Sequence, residues 1–111
     1  MNDYQNRRKE QRTPCSKHIL INLGCGLRGR GMFIDVSPSG LLLRSDELFR
    51  LLNPNRYECL LDREIKIMLP AQELLARLVR VAPQNRALAA RLAQISNLEE
   101  WLSLCQASSI E

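Results

Sequence analysis

Ala71-Gln72-Glu73-Leu74-Leu75-Ala76-Arg77-Leu78-Val79-Arg80-Val81 and, beyond Pro83-Gln84-Asn85, Arg86-Ala87-Leu88-Ala89-Ala90-Arg91-Leu92-Ala93-Gln94-Ile95 admit two readings, and the fold depends on which is right. Ala, Leu, Arg and Gln are good helix formers, so intrinsic propensity makes each run a helix. Alternation fits nearly as well. Leu75, Arg77, Val79 and Val81 would share one face of a strand, and Ala87, Ala89, Arg91 and Ala93 one face of the next, with Pro83-Gln84-Asn85 as the hairpin turn. Taken alone, the residues of this stretch lean towards helices without closing the other reading.

Outward from it the signals are clearer. Residues 64–70 place Ile65, Ile67 and Leu69 on one face until Pro70, which reads as a strand. Residues 16–23 alternate in the same way, with Ile19, Ile21 and Leu23 on one face and His18, Leu20 and Asn22 on the other. Residues 32–36 and 41–43 read as two further strands, and residues 46–52 as a short helix ended by Asn53-Pro54-Asn55. Gly24-Cys25-Gly26-Leu27-Arg28-Gly29 matches a dinucleotide-binding G-x-G-x-x-G. That fingerprint requires a helix to start at the glycines, whereas Met32-Phe33-Ile34 continues as a strand, so residues 24–31 read as a hairpin loop carrying Arg28 and Arg30. At the far end Ser96-Asn97-Leu98-Glu99 has the form of a capping box, so a helix should follow, with Ser96 as its cap. Its apolar stripe, Leu98, Trp101, Leu102 and Cys105, should pack on the rest of the domain; the alternative is a partner or dimer surface anchored by Trp101.

The chain has 111 residues, the size of one domain. No apolar run has the length of a membrane span, and the first twelve residues are polar and charged. No signal peptide or membrane partner is therefore expected, and a cytoplasmic location is. The net charge is +4, and the first 31 residues hold seven Lys/Arg against two Asp/Glu while the remainder holds nine against ten. This asymmetry points to an anionic partner met by a basic, mobile N-terminal arm, residues 1–14, ahead of a domain over residues 15–111. Four cysteines without a C-x-x-C pair read as reduced thiols. Cys15 and His18 are half of a zinc spacing, with Cys25 a conceivable third ligand, but the second pair is missing, so no metal or cofactor is expected. Nor is an enzyme expected: the sole histidine stands in a strand with no acid nearby, and no nucleophile motif is present.

Between the strands at 32–36 and 41–43 lies Asp35-Val36-Ser37-Pro38-Ser39-Gly40. Its short polar side chains bond readily to backbone or ligand, Pro38 fixes one dihedral, and Gly40 permits a conformation or an approach that a Cβ would block. Upstream stands Arg7-Arg8-Lys9-Glu10-Gln11-Arg12. Together these stretches resemble the two-part signature of the PilZ family, Arg-x-x-x-Arg followed by Asp/Asn-x-Ser-x-x-Gly. Arg8 and Arg12 match the first part, since four residues beyond Arg7 lies Gln11. Each part alone occurs by chance in roughly one to five per cent of chains of this length, and both together in well under one in a hundred.

The resemblance implies a mainly all-β fold, a compact antiparallel six-stranded β-barrel with a C-terminal α-helix, and so decides residues 71–95 in favour of strands that close the barrel. The family's last strand usually carries a Gly or an aromatic residue that is absent from residues 87–95. The resemblance also implies a ligand, the bacterial second messenger cyclic di-GMP. Arg8 and Arg12 would grip phosphate or guanine, Asp35 would accept from guanine N1 and N2, and Ser37 and Gly40 would complete the lining. Arg7 occupies the position that favours a stacked pair of ligands, which implies two per chain. An output protein would complete the pathway. Two other readings compete: a PilZ-like interaction module in motility or pilus assembly that binds no nucleotide, and a nucleic-acid-binding barrel. Against the last, no closely spaced aromatic pair stands on a strand to stack bases.

Overall fold

The computed structural model describes residues 11–24 and 26–107. The stretch with two readings is a β-hairpin: β6 (Glu73–Ala82) and β7 (Ala87–Ile95) pair antiparallel, and Pro83–Asn85 form a single 3-10 turn ending at Arg86 in the left-handed region (φ 53°). Five further strands precede them, namely β1 (Thr13–Pro14), β2 (His18–Gly24), β3 (Leu27–Ser37), β4 (Gly40–Arg44) and β5 (Glu64–Met68). The order is β1-β3-β2-β5-β6-β7-β4, and β4 also pairs with β3, so six strands close into an antiparallel barrel with β1 added alongside β3. Closure explains why helix propensity loses. If β6 and β7 were helices, β5 and β4 would each keep an unpaired edge, and satisfying those ladders outweighs a preference of at most a few tenths of a kcal/mol per residue.

The interior receives Ile19, Ile21 and Leu23 from β2, Ile65 and Ile67 from β5, and Leu74, Ala76 and Leu78 from β6. On β6 the alternation breaks after Leu78. The register passes from Leu78↔Ala90 to Arg80↔Ala89, so Val79 is a bulge residue, 52% exposed, and Val81 returns to the inner side. The face that periodicity assigns to Leu75, Arg77, Val79 and Val81 together is therefore split.

Helix α1 (Asp46–Leu51) packs against β3 and buries Leu48 in the core. Ser45 caps it, its hydroxyl accepting from Leu48 N–H (3.0 Å) and donating to the Arg30 carbonyl (2.6 Å). A short 3-10 turn (Pro54–Arg56) and helix α2 (Tyr57–Leu60) follow, elements that turn residues alone did not reveal. The glycine-rich segment is not a long hairpin loop. Only Gly24 and Gly26 adopt positive φ, and Leu27 to Gly31 belong to β3. The inner glycines serve packing: a Cβ on Gly31 would collide with the Arg44 carbonyl and lie 2.8 Å from Ile21 Cδ1, and one on Gly29 would lie 3.0 Å from Leu48 Cγ.

Helix α3 (Leu98–Ala107) packs against β1 and β3. Its cap is Asn97, whose side-chain oxygen accepts from Glu100 N–H (3.1 Å), and not Ser96. Ser96 is held by the sheet instead: its N–H donates to the Glu73 carbonyl and its hydroxyl accepts from Glu73 N–H. The apolar stripe is divided as well. Trp101 and Cys105 are buried, with Trp101 edge-to-face on Phe33 (centroids 5.7 Å apart, 69°), whereas Leu98 and Leu102 stay exposed. Trp101 is thus a core residue, not a partner anchor. Among the described residues no helix is long and apolar enough to cross a membrane.

Candidate functional site

The two sequence motifs meet. Arg12, 23 residues before Asp35 in the chain, donates from a guanidinium NH to the Asp35 carboxylate as an ion pair. Two local features bring this about. First, β1 runs beside β3 with Thr13 opposite Val36 and Pro14 opposite Asp35, and the buried Thr13 hydroxyl donates to the Cys105 carbonyl of α3. Residues 13 and 14, which the sequence reading placed in a mobile arm, are therefore fixed by the sheet and by a helix. Arg12 is held at the place where it reaches Asp35.

Second, β3 carries a bulge. Phe33 stands opposite Leu43 but Asp35 opposite Leu42, so Ile34 is an extra residue. A regular strand with Phe33 inside would also place Asp35 inside, opposite Leu41. The bulge resets the alternation so that Phe33 and Val36 are both buried while Asp35 turns outward. One inserted residue thus delivers the carboxylate to the surface without giving up either core residue.

Beyond Asp35 the chain turns in two residues, Pro38 and Ser39, and Ser37 pairs with Gly40. The Ser37 hydroxyl donates to the Gly40 carbonyl (3.3 Å). Gly40 does not need a left-handed conformation; its role is close approach, since a Cβ there would lie 3.3 Å from the Ala90 carbonyl oxygen. Gly40 faces Arg91 across the β4–β7 ladder. Arg12, Ser37, Ser39, Gly40, Val79, Ala90 and Arg91 together line an open cleft of about 390 Å³, within the range of small-molecule sites.

Of the residues expected from sequence, Arg12, Ser37 and Gly40 share the cleft and Asp35 stands beside it as the ion-pair partner of Arg12, while Arg7 and Arg8 lie outside the described residues. Sequence reasoning missed Arg91 and Val79 as site residues. Arg91 had a signal, being the one charged residue in Ala87–Ile95. Val79 had none, because its exposure comes from the β6 bulge.

Chemically, the cleft offers two guanidinium groups and serine hydroxyls beside a small apolar surface. Guanidinium forks pair with phosphate oxygens or with guanine O6 and N7, and an exposed aliphatic side chain suits the face of a planar base. The Arg12–Asp35 pair is partly exposed, with Arg12 at 55% and Asp35 at 23%, so its contribution to stability is about 0–1 kcal/mol. Its value is positional. A ligand phosphate, worth about 1.5–3 kcal/mol per charge-assisted bond, can compete for the same guanidinium.

Elsewhere, Cys15 donates its backbone N–H to the Ile34 carbonyl (3.0 Å) and His18 is exposed; no set of three metal-ligating side chains occurs among the described residues. The fold and cleft define a small closed barrel with an arginine–carboxylate site at one hairpin. No family model matches the chain, and no curated protein matches it either.

Proposed function

We propose that the protein is a PilZ-like receptor for cyclic di-GMP, non-catalytic and acting in the bacterial cytoplasm. The observation that carries the reading is the contact between the two halves of the signature: Arg12 of the first motif bonds Asp35 of the second, and Arg12 lines a cleft together with Ser37 and Gly40. Two features of the cleft add support. Arg91 supplies a second cation from the barrel wall, and Val79 an apolar surface against which a guanine can lie. In this mechanism a phosphate takes Arg12 partly away from Asp35, and the freed carboxylate accepts from guanine N1 and N2. Ligand then draws Arg7 and Arg8 to the turn, and the surface so formed is read by an output protein. Arg7 favours two stacked ligands per chain.

Titration calorimetry with cyclic di-GMP, with GTP and a short RNA as controls, tests this. A saturable heat specific to cyclic di-GMP, at two ligands per chain, is expected. A folded protein that gives no heat would assign the fold instead to an interaction module without nucleotide. RNA binding that falls steeply with salt, with indifference to cyclic di-GMP, would make it a nucleic-acid binder.

A further inference from the structure

The basic glycine segment that opens β3 plays no part in the Arg12–Asp35 cleft. Arg30 lies five residues before Asp35 on the same strand, about 17 Å away along it. Here the outer surface of β3 and the exposed side of α1 enclose a groove made of two adjoining hollows, about 310 and 520 Å³, that share Arg30, Glu47 and Arg50. Arg28 and Leu20 line one end, with Leu51 beside them; His18, Met32 and Arg44 line the other.

The charges in this groove are unequally used. Asp46 is paired with Arg44 (3.3 Å) and Arg86 (3.5 Å), and Glu47 accepts from the Arg30 backbone N–H (2.6 Å). Among the described residues Arg28, Arg30 and Arg50 are in no ion pair. Two large aliphatic side chains stand exposed beside them, Leu20 at 38% and Leu51 at 57%. Neither is needed to complete the barrel interior.

We infer that this groove docks an acidic segment of a partner protein, one in which carboxylates alternate with aliphatic side chains. Charge complementarity sets the acidity, since three guanidinium groups lie within one groove. Spacing sets the conformation: Arg28 and Arg30 are on the same face two residues apart, about 7 Å, which matches the i, i+2 repeat of an extended segment. Leu20 and Leu51 supply apolar contacts for the intervening side chains. A nucleic-acid strand fits less well, because the groove sets the exposed aliphatic side chains of Leu20 and Leu51 beside its arginines, and His18 at one end is the one aromatic ring that lines it. The inference stands independently of the nucleotide reading, being built from other residues at the other end of β3.

Fluorescence anisotropy on the full chain tests it, using a panel of labelled twelve-residue peptides in which Asp or Glu alternates with Leu or Val. A polyglutamate peptide and a twenty-nucleotide RNA serve as comparators. Binding by acidic–aliphatic peptides is expected, weakened about tenfold by Arg28→Ala or Arg30→Ala and lost in the Arg28→Glu/Arg30→Glu double variant. Leu51→Ser should weaken it as well, with the melting transition unchanged, and Arg80→Ala, outside the groove, should leave it intact. Failure of the whole panel to bind would overturn the inference. So would equal binding of polyglutamate unaffected by Leu51→Ser, or tighter binding of the RNA that is lost in Arg30→Ala.

Discussion

The two ends of β3 solve opposite problems with one strand. At its start, Gly29 and Gly31 remove side chains so that α1 and the end of β4 can close against the sheet, and Arg28 and Arg30 are left outside as an ordinary alternation requires. At its finish nothing is removed. One residue is added instead, Ile34, and the bulge turns Asp35 outward to meet Arg12 while Val36 stays in the core. Between them sits Phe33, packed on Trp101. The glycines of the first end are governed by available volume and Asp35 at the second by direction, so substitutions of Gly29 and Gly31 should be read in stability and substitution of Asp35 in binding.

The largest effect should come from the middle that both ends share. Trp101→Ala removes a fully buried ring that packs on Phe33, and a loss of about 3–5 kcal/mol in denaturant unfolding is expected. Next is the volume-limited end. Gly31→Ala drives a methyl group into the Arg44 carbonyl, which as backbone cannot yield, and should cost about 1–3 kcal/mol. Gly29→Ala should cost less, since its nearest atom is Leu48 Cγ at 3.0 Å, a side-chain atom farther off than the backbone carbonyl that Gly31 meets. If both glycine variants were as stable as wild type, the contrast between the two ends of the strand would fail.

The smallest effect concerns the first turn of α1. The Asp46 carboxyl is held below its ordinary value, first by its hydrogen bond from Arg44 and then by the charges of Arg44 and Arg86. A depressed carboxylate stabilises the fold above the unfolded-state value of about 3.9, and that contribution disappears as pH falls through the lower folded-state value. Asp46→Asn should therefore lower the melting temperature slightly near pH 7 and reduce its fall below about pH 4 by the same amount. An unchanged acid limb in the variant would show that Asp46 is not part of it.

Much of this was legible in the sequence. The strands at 16–23 and 64–70 announce themselves by alternation, because each has one buried and one exposed side. Arg12, Asp35, Ser37 and Gly40 are legible from motif spacing alone. Residues 71–95 are not, because Ala, Leu and Arg suit a helix and a barrel strand alike, and the deciding factor is the unpaired edges of β5 and β4, elements distant in sequence. The bulges at Ile34 and Val79 and the approach of Arg91 to Gly40 depend on register between strands, which no local pattern encodes. The helix cap was misplaced by one residue for a related reason: Ser96 has the right chemistry, but Glu73 of β6 already holds it.

The outward-turned Asp35 and its partner Arg12 are the residues on which the proposed nucleotide binding rests. Calorimetric titration of cyclic di-GMP into wild type and Arg12→Ala, with unfolding midpoints measured alongside, tests it most directly. Because the ion pair is partly exposed, the variant should lose no more than about 1 kcal/mol of stability while its affinity falls by about one to two orders of magnitude. Equal affinity in a folded Arg12→Ala, or no heat from folded wild type, would contradict the account.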